Sequence, residues 1–296
     1  MALVDVVIVS YNSRSKLRGP VDPLLGDEDL HLIVADNAST DRSLEAVAGL
    51  PVTAIPLPRN GGFAHGCNAG IAAGSAPYVL LLNPDAKIRP QSVRRLVQEL
   101  AADEGLGAAA PRIVAEDGSL EYSQRRFPRL RSTYAQALFL HRVFPRADWV
   151  DELERDEDAY RQVGSPPWVS GACVLLRRSA LDAIGGLDDG FFMYCEDIDL
   201  CRRLRDAGYG IRFVPDAVVT HEGGASAPRA SLLPVLAASR IRYAHKHRGR
   251  TGALLERLGV ALGALTHALV SRGGRAVRAG HLRAFRRALA DGLAPH

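Results

Sequence analysis

The sequence predicts an α/β protein built on a parallel, layered sheet. Three observations carry that prediction. Short β-branched apolar runs alternate with helix-forming stretches through the first 110 residues. The runs are continuous rather than alternating in polarity, as in strands covered on both faces. Three of them end in polar clusters, at Ser10, Asp36 and Asn83. Strands alternating with helices form parallel sheets, and ligands bind such sheets at the carboxyl ends of the strands. All three clusters fall there.

Residues 3–9 form the first run, which ends in Ser10-Tyr11-Asn12-Ser13. Residues 32–35 repeat it and end in Asp36-Asn37-Ala38-Ser39-Thr40-Asp41. Residues 52–57 read as a weaker third strand and residues 78–82 as a strong fourth. Helices are expected over 41–48 and 90–102. Residues 118–168 are rich in Arg, Pro and acidic side chains without a period, and read as loops and short helices over the sheet. Residues 169–176 read as a buried strand. An aromatic, acidic loop over 187–199 follows, entering a helix that continues to 207, where Gly208 supplies a stop. Residues 211–214 and 217–220 add strand character and end at His221.

A length of 296 residues suits one large or two small domains. Hydrophobic residues at 47% and charged residues at 24% exclude a largely disordered chain, a collagen-like repeat and a polytopic membrane protein. The longest apolar candidate, residues 251–271, is broken by Glu256, Arg257 and His267. Residues 1–4 run into Asp5 without a basic region, so no signal peptide is expected. Cys67, Cys173, Cys195 and Cys201 form no CxxC pair and suit reduced, buried thiols in a cytosol. Charge is divided unevenly. Residues 1–228 carry 24 Lys+Arg and 31 Asp+Glu, whereas residues 229–296 carry 13 and 2. The division separates an acidic body, 1–228, from a helical basic C-terminal region, 229–296. Nucleic acid and an anionic membrane both fit a basic tail. Stacking aromatics are nearly absent from it, Tyr243 and Phe285 alone, which argues against nucleic acid.

Two chemical centres stand out. In Asn83-Pro84-Asp85 a carboxylate follows a buried strand, where it either builds a turn or holds a hard divalent cation completed by substrate phosphates. Asn60-Gly61-Gly62-Phe63-Ala64, with Asn68 following, is a glycine-rich turn able to bring backbone amides to a phosphate. The second centre is Phe191-Phe192-Met193-Tyr194-Cys195-Glu196-Asp197-Ile198-Asp199. Its carboxylates suit a helix N-terminus, with Asp199 pairing to Arg202 or Arg203, or else a general base beside an aromatic sugar-binding wall.

In order, Val-Ser-Tyr-Asn (9–12), Ala-Asp-Asn-Ala-Ser-Thr-Asp (35–41), Asn-Gly-Gly-Phe-Ala (60–64), Asn-Pro-Asp (83–85), Ser-Gly-Ala-Cys (170–173) and Phe-Met-Tyr-Cys-Glu-Asp-Ile-Asp-Leu (192–200) resemble family 2 glycosyltransferases. The likeness is to their bacterial rhamnosyltransferase branch and spans about residues 3–250. It implies the GT-A fold, with a nucleotide-sugar half over about 1–110 and an acceptor half over about 111–228. By this resemblance Ser10, Tyr11, Asn12 and Asp36 hold the nucleotide base and ribose, while Asn60, Asn68 and Asn83 line the sugar-nucleotide pocket. Asp85 binds Mg²⁺ or Mn²⁺ bridging the diphosphate, His221 adds a metal contact, and Asp197 is the base. Many relatives carry Asp-x-Asp where this chain has Asn83-Pro84-Asp85. One negative charge is thereby removed, so metal affinity is expected to be lower or more dependent on the diphosphate.

The resemblance implies direct, inverting displacement. An acceptor hydroxyl attacks the anomeric carbon, Asp197 takes its proton, and the cation offsets charge on the leaving diphosphate. It implies L-rhamnose from dTDP-rhamnose and a glycan or polyprenyl-diphosphate-linked acceptor. The alternatives are a relative using a galactofuranosyl, glucosyl or mannosyl donor, a nucleotidyltransferase, and a non-catalytic membrane- or nucleic-acid-binding protein. A nucleotidyltransferase would carry a basic glycine-rich loop that residues 10–17 lack. In the tail, Leu254, Leu258, Leu262, Leu265 and Leu269 mark one apolar helical face, followed by Arg272, Arg275, Arg278, Arg283, Arg286 and Arg287. That pattern suits a helix packed on the catalytic domain with a solvated basic end or, as expected here, peripheral attachment to the cytoplasmic leaflet of the cell membrane. Nothing in the sequence sets the oligomeric state.

Overall fold

A computed structural model describes residues 2–145, 147–223, 229–271 and 273–290. Arg272 and the expected boundary at residue 228 lie outside the described residues. The chain divides into two compact units, and each draws on separate stretches of sequence. The first comprises Met1–Arg125, Asp156–Asp189 and Glu196–Gly223; the second comprises Arg126–Arg155, Gly190–Cys195 and Gly224–His296.

The first unit is a mixed sheet of eight strands with helices on it. Its strands are β1 (Val4–Ser10), β2 (Leu30–Asp36), β3 (Val52–Pro56), β4 (Tyr78–Leu82), β5 (Ala86–Ile88), β6 (Leu106–Val114), β9 (Cys173–Arg177) and β10 (Gly210–His221). They lie in the order β3-β2-β1-β4-β9-β6-β10-β5. The run β3-β2-β1-β4 is parallel, as is β6 with β10. The strand β9 is antiparallel to both neighbours, and β5 is antiparallel to β10. The short strands β7 (Gln124–Arg125) and β8 (Trp168–Val169) pair separately. The unbroken apolar runs are explained by double coverage: every residue of β1 and β4 is buried.

The helices of this unit are α1 (Arg18–Val21), α2 (Phe63–Ala72), α3 (Pro90–Ala102), α6 (Arg178–Ala183) and α7 (Glu196–Asp206). In α3, Val93, Leu96, Val97 and Leu100 make one buried stripe against β6, β9 and β10, with Pro90 pre-setting the first turn. Of residues 60–64, expected to be a turn, 60–62 form one and Phe63 begins α2, with Gly62 at φ 92° just before its first turn. Its glycines serve packing, because a Cβ on Gly66 would lie 2.5 Å from Val9 Cγ1. The helix expected over 41–48 is a short 3₁₀ turn, Ser43–Val47. The single strand expected over 169–176 is two, β8 and β9, broken at residues 170–172. The two strands expected before His221 are one, β10, with a bulge between Val214 and Val218.

At the opposite end of β1, Asp5 is fully buried and triply satisfied. Arg178 Nη2 lies 2.7 Å from Asp5 Oδ2, the Ala76 N–H donates to the same oxygen, and His31 Nδ1 lies 2.8 Å from Oδ1. This ion pair ties β1 to the start of α6, across β4 and β9.

The second unit is helical: α4 (Leu130–Ala137), α5 (Leu140–Val143), α8 (Arg229–His247), α9 (Arg250–Val270) and α10 (Gly274–Leu289). Among its described residues the tail thus folds as three helices. In α9 the buried residues other than Glu256 are small, Ala253, Gly259, Ala261, Ala264 and Ala268, and they let α4, α8 and α10 approach closely. Buried Glu256 accepts from Thr133 Oγ1 at 2.7 Å and pairs with Arg240 Nη2 at 3.2 Å, while Arg240 Nη1 reaches Glu152 at 2.6 Å. By length and composition α9 could cross a membrane, although a third of it is buried within this unit and Glu256 is neutralised there. Of the five leucines expected on its apolar face, Leu254 (54%), Leu258 (48%), Leu265 (36%) and Leu269 (66%) are exposed, whereas Leu262 is half-buried.

Candidate active site

The carboxyl ends of β1 and β2 carry two loops latched together by side chains. Asn12, in left-handed backbone at φ 50°, donates its N–H to Ser39 Oγ at 2.8 Å, and its Oδ1 accepts from the Thr40 N–H at 2.8 Å. Asp36 accepts from the Ser39 hydroxyl at 2.6 Å and the Ser39 N–H at 2.9 Å. Ser10 is fully buried, and its Oγ has no hydrogen-bond partner among the described residues; Tyr11 beside it is 47% exposed. Asn37 is buried. Its N–H donates to Ser10 O, and its Nδ2 donates to Gly62 O at 3.0 Å, so it ties this corner to the start of α2.

Asn60 and Asn68 do different work from one another. Asn60 Oδ1 accepts from the Gly62 N–H and shapes the turn. Asn68 donates to Leu187 O at 2.9 Å and accepts from the Leu187 N–H at 3.0 Å, which pins the chain at 187 to α2.

The end of β4 holds the acidic motif. The Asn83 N–H donates to Ala172 O at 2.9 Å, and the turn that follows buries Asp85. Asp85 Oδ1 lies 3.2 Å from His221 Nε2, and His221 Nδ1 lies 3.0 Å from Glu121 Oε2. The register of β5 on β10 sets Ala86 opposite His221 and so makes the first contact. Glu121 holds the ring, as carboxylates hold metal-binding histidines. Lys16, on the loop after β1, places its ammonium 3.8 Å from Asp85 Oδ2 and 3.3 Å from Glu222 Oε2. Burial pushes the Asp85 carboxyl up, but the His221 hydrogen bond and the charges of His221 and Lys16 outweigh it and hold it below the usual carboxylate range. For His221, burial favours the neutral ring, and the bonds to Asp85 and Glu121 outweigh that and raise its pKa.

Asp197 occupies the first turn of α7. Its Oδ2 accepts from the Gly171 N–H at 3.2 Å and its Oδ1 from the Ile198 N–H at 2.9 Å. Burial nevertheless raises its pKa, against the pull of those N–H groups and of the Arg125 charge. Neighbouring Glu196 is pushed up to about 8 by burial and by Asp197. Asp199 is fully buried in an ion pair with Arg203 at 2.7 Å, the pairing foreseen at helical spacing, while Arg202 turns to Asp206. The expected aromatic wall is interrupted at Phe191, which is buried within the second unit beneath Arg242 and Lys246.

The first unit therefore brings Ser10, Asn12 and Asp36 together at one corner, and joins Asn83 to Asp197 through two adjacent residues, Gly171 and Ala172. Glu121 and Lys16 were not foreseen. Glu121 lies a hundred residues from its partner with no motif around it, whereas Lys16 is foreshadowed only by its place six residues after the first strand. No cluster of three or more His, Cys, Asp or Glu side chains able to hold a metal occurs among the described residues. Asp85 Oδ1 and His221 Nε2 do offer one hard oxygen and one nitrogen. A divalent cation can use such a pair when substrate oxygens complete its shell.

Residues 5–185 match the model of glycosyl transferase family 2. The chain is 34% identical over 244 residues to the N-acetylglucosaminyl-diphospho-decaprenol L-rhamnosyltransferase of Mycobacterium tuberculosis, covering 77% of this chain and 78% of the relative. It is 26% identical to the rhamnosyltransferase WbbL of Escherichia coli, over 72% of this chain and 81% of that one. Among solved structures, the mannosyltransferase PcManGT of Pyrobaculum calidifontis in complex with GDP-Man and Mn²⁺ has a TM-score of 0.59 at 16% identity, covering 98% of this chain and 87% of that one. Residues 1–349 of S. aureus TarS have a TM-score of 0.54 at 11% identity, covering 97% of this chain and 89% of that one. With the GT-A arrangement of its sheet, the chain is a glycosyltransferase and belongs to glycosyl transferase family 2.

Proposed function

We propose that this glycosyltransferase transfers L-rhamnose from dTDP-rhamnose to a polyprenyl-diphosphate-linked glycan, with inversion at the anomeric carbon, in cell-wall or polysaccharide synthesis. The observation that supports the reading is the hydrogen-bonded line Asp197–Gly171–Ala172–Asn83, which holds the Asp197 carboxylate beside the strand end that bears Asp85. The rhamnosyl donor and the lipid-linked acceptor are taken from the names of the two relatives.

In this reading Ser10, Tyr11, Asn12 and Asp36 receive the nucleoside, Ser10 with a buried hydroxyl free of other hydrogen bonds among the described residues. Asn60, Asn68 and Asn83 shape the pocket for the sugar. Asp85 and His221 would hold Mg²⁺ or Mn²⁺, which supplies positive charge against the departing diphosphate. Asp197 accepts the proton of the acceptor hydroxyl, and its raised pKa suits a group that must bind a proton near neutral pH. No covalent nucleophile is required.

The second unit contributes attachment to the membrane that carries such an acceptor. Exposed Leu254, Leu258, Leu265 and Leu269 on α9 supply an apolar face, and exposed Arg275, Arg278, Arg283 and Arg286 on α10 supply charge for anionic headgroups. The protein then sits peripherally on the inner leaflet.

A panel of donors tests the chemistry. Incubation with a polyprenyl-diphosphate N-acetylglucosamine acceptor and dTDP-rhamnose should release dTDP and extend the lipid by one deoxyhexose. Release from UDP-glucose, UDP-galactofuranose or GDP-mannose, with none from dTDP-rhamnose, would move the donor assignment within the family.

A further inference from the structure

We propose that Lys16 is a resident cation of the diphosphate site: it neutralises Asp85 before the donor arrives and then binds the donor's diphosphate directly. This rests on the reading of Asp85 as the residue beneath that diphosphate.

The argument starts from charge. Asp85 is buried, and a buried carboxylate needs a partner. It has two: His221 Nε2 on Oδ1 at 3.2 Å, and the Lys16 ammonium on Oδ2 at 3.8 Å. The lysine is steered by Glu222 at 3.3 Å, and Glu222 is shared with Lys87 at 3.3 Å. Lys16 is only partly exposed, so its charge works in a medium of lower dielectric than water. The loop that delivers it is fixed. The Lys16 N–H donates to Ser13 O in the loop leaving β1, and Ser13 is in turn bonded to Ser43. That is the same loop whose Ser10 and Asn12 form the nucleoside corner, so one short segment runs from the base-binding end to Asp85.

The motif at Asp85 lacks the first of the two carboxylates common in relatives, Asn83 standing in that place. With one carboxylate fewer, the free site attracts a divalent cation less, and an ammonium beside the remaining carboxylate lowers that attraction further. A diphosphate reverses the balance. Its oxygens offer the ammonium hydrogen bonds to charged acceptors, stronger than the 3.8 Å approach to Asp85, and release Asp85 toward a cation. Lys16 thus opposes metal binding in the free protein and favours diphosphate binding.

Titration calorimetry of the full chain with Mn²⁺ alone, and with dTDP in chelator, separates the two effects. Lys16→Gln should weaken dTDP by about tenfold and tighten Mn²⁺ in the absence of nucleotide by about tenfold. Lys16→Arg, which keeps the charge, should hold the Mn²⁺ affinity near that of the wild type and retain most of the dTDP affinity. Both variants should give the wild-type circular dichroism spectrum. If Lys16→Gln binds dTDP as the wild type does, the proposal fails while the site assignment stands. If both affinities fall together, Lys16 is a structural strut and the proposal also fails. A wild-type protein that binds no dTDP overturns the site assignment, and the role of Lys16 with it.

Discussion

The Gly171 backbone N–H donates to Asp197 Oδ2 at 3.2 Å, and a Cβ placed on Gly171 would lie 3.3 Å from Asp197 Cβ. The glycine therefore both binds the carboxylate and leaves room for it. Gly171→Ala keeps the N–H but presses a methyl group against Asp197 and shifts it by a few tenths of an ångström. Turnover should fall by about tenfold with donor affinity unchanged, since misplacement of a reacting group acts on the chemical step. Steady-state kinetics that show only a raised KM would contradict this.

Glu196 ties stability to pH. The folded protein keeps this carboxyl protonated up to about pH 8, whereas the unfolded chain releases the proton near 4.5. Its folded pKa is raised, so stability is lost as pH rises from about 4.5 through about 8. Glu196→Gln lacks that loss. The melting temperature of the variant relative to the wild type should climb between pH 5 and pH 8.5. A constant difference in melting temperature across that range would count against the buried, proton-bearing Glu196.

The fold and the site were legible to different depths. Strands β1, β2 and β4 were readable because burial on both faces writes an unbroken apolar run, and their polar ends marked the site. Helix α2 was hidden, because Gly61, Gly62, Gly66 and Gly70 look like a loop; Gly66 and Gly70 are there for close packing on Val9 and Val7, and Gly62 for its positive φ. The strand β9 was blurred into β8 because the break is short and lies inside an apolar run, although Ser170-Gly171 is a turn dipeptide, and residues 171 and 172 are the ones that join Asp197 to Asn83. Asp85 and Asp197 could be found from motif order. Glu121 could not, since its role comes from a contact with His221 across the fold and no local pattern records it.

Arg178 offers a test of the scaffold away from the chemistry. It pairs with Asp5, which is 1% exposed, and donates to the Ala76 carbonyl at 2.6 Å. Arg178→Ala leaves Asp5 with His31 and one N–H as partners. Breaking a buried pair from one side costs about 3–5 kcal/mol, and the loss should appear in urea unfolding while the folded fraction binds dTDP normally.

Glu121 should matter only through His221. Glu121→Ala frees the ring that faces Asp85, and Mn²⁺ affinity in the presence of dTDP should drop by about 10–100-fold, as for other residues that hold a metal-binding histidine. Glu121→Gln, which can still accept from Nδ1, should lose less. Equal loss in both variants would separate Glu121 from the histidine.

The leucines of α9 are the test of attachment. Leu258→Glu with Leu265→Glu places two charges on the exposed face and leaves the buried alanines untouched. Flotation with vesicles containing anionic lipid should carry the wild type and not the double variant, and raised salt should weaken the wild type's binding. Truncating the chain at residue 250 is a poorer test, because it removes Glu256 from Arg240 and Thr133 inside the helical unit.

The central claim is that Asp197 takes the proton in a direct sugar transfer from a nucleotide diphosphate donor. A single-turnover comparison of the wild type and Asp197→Asn, with dTDP-rhamnose and a polyprenyl-diphosphate N-acetylglucosamine acceptor, tests it most directly. The wild type should yield one product whose anomeric configuration is opposite to that of the donor. The variant should bind dTDP as tightly and run about 10²–10⁴-fold slower, the usual contribution of a general base. A variant that turns over at the wild-type rate, or a product that retains the donor configuration, would contradict the account.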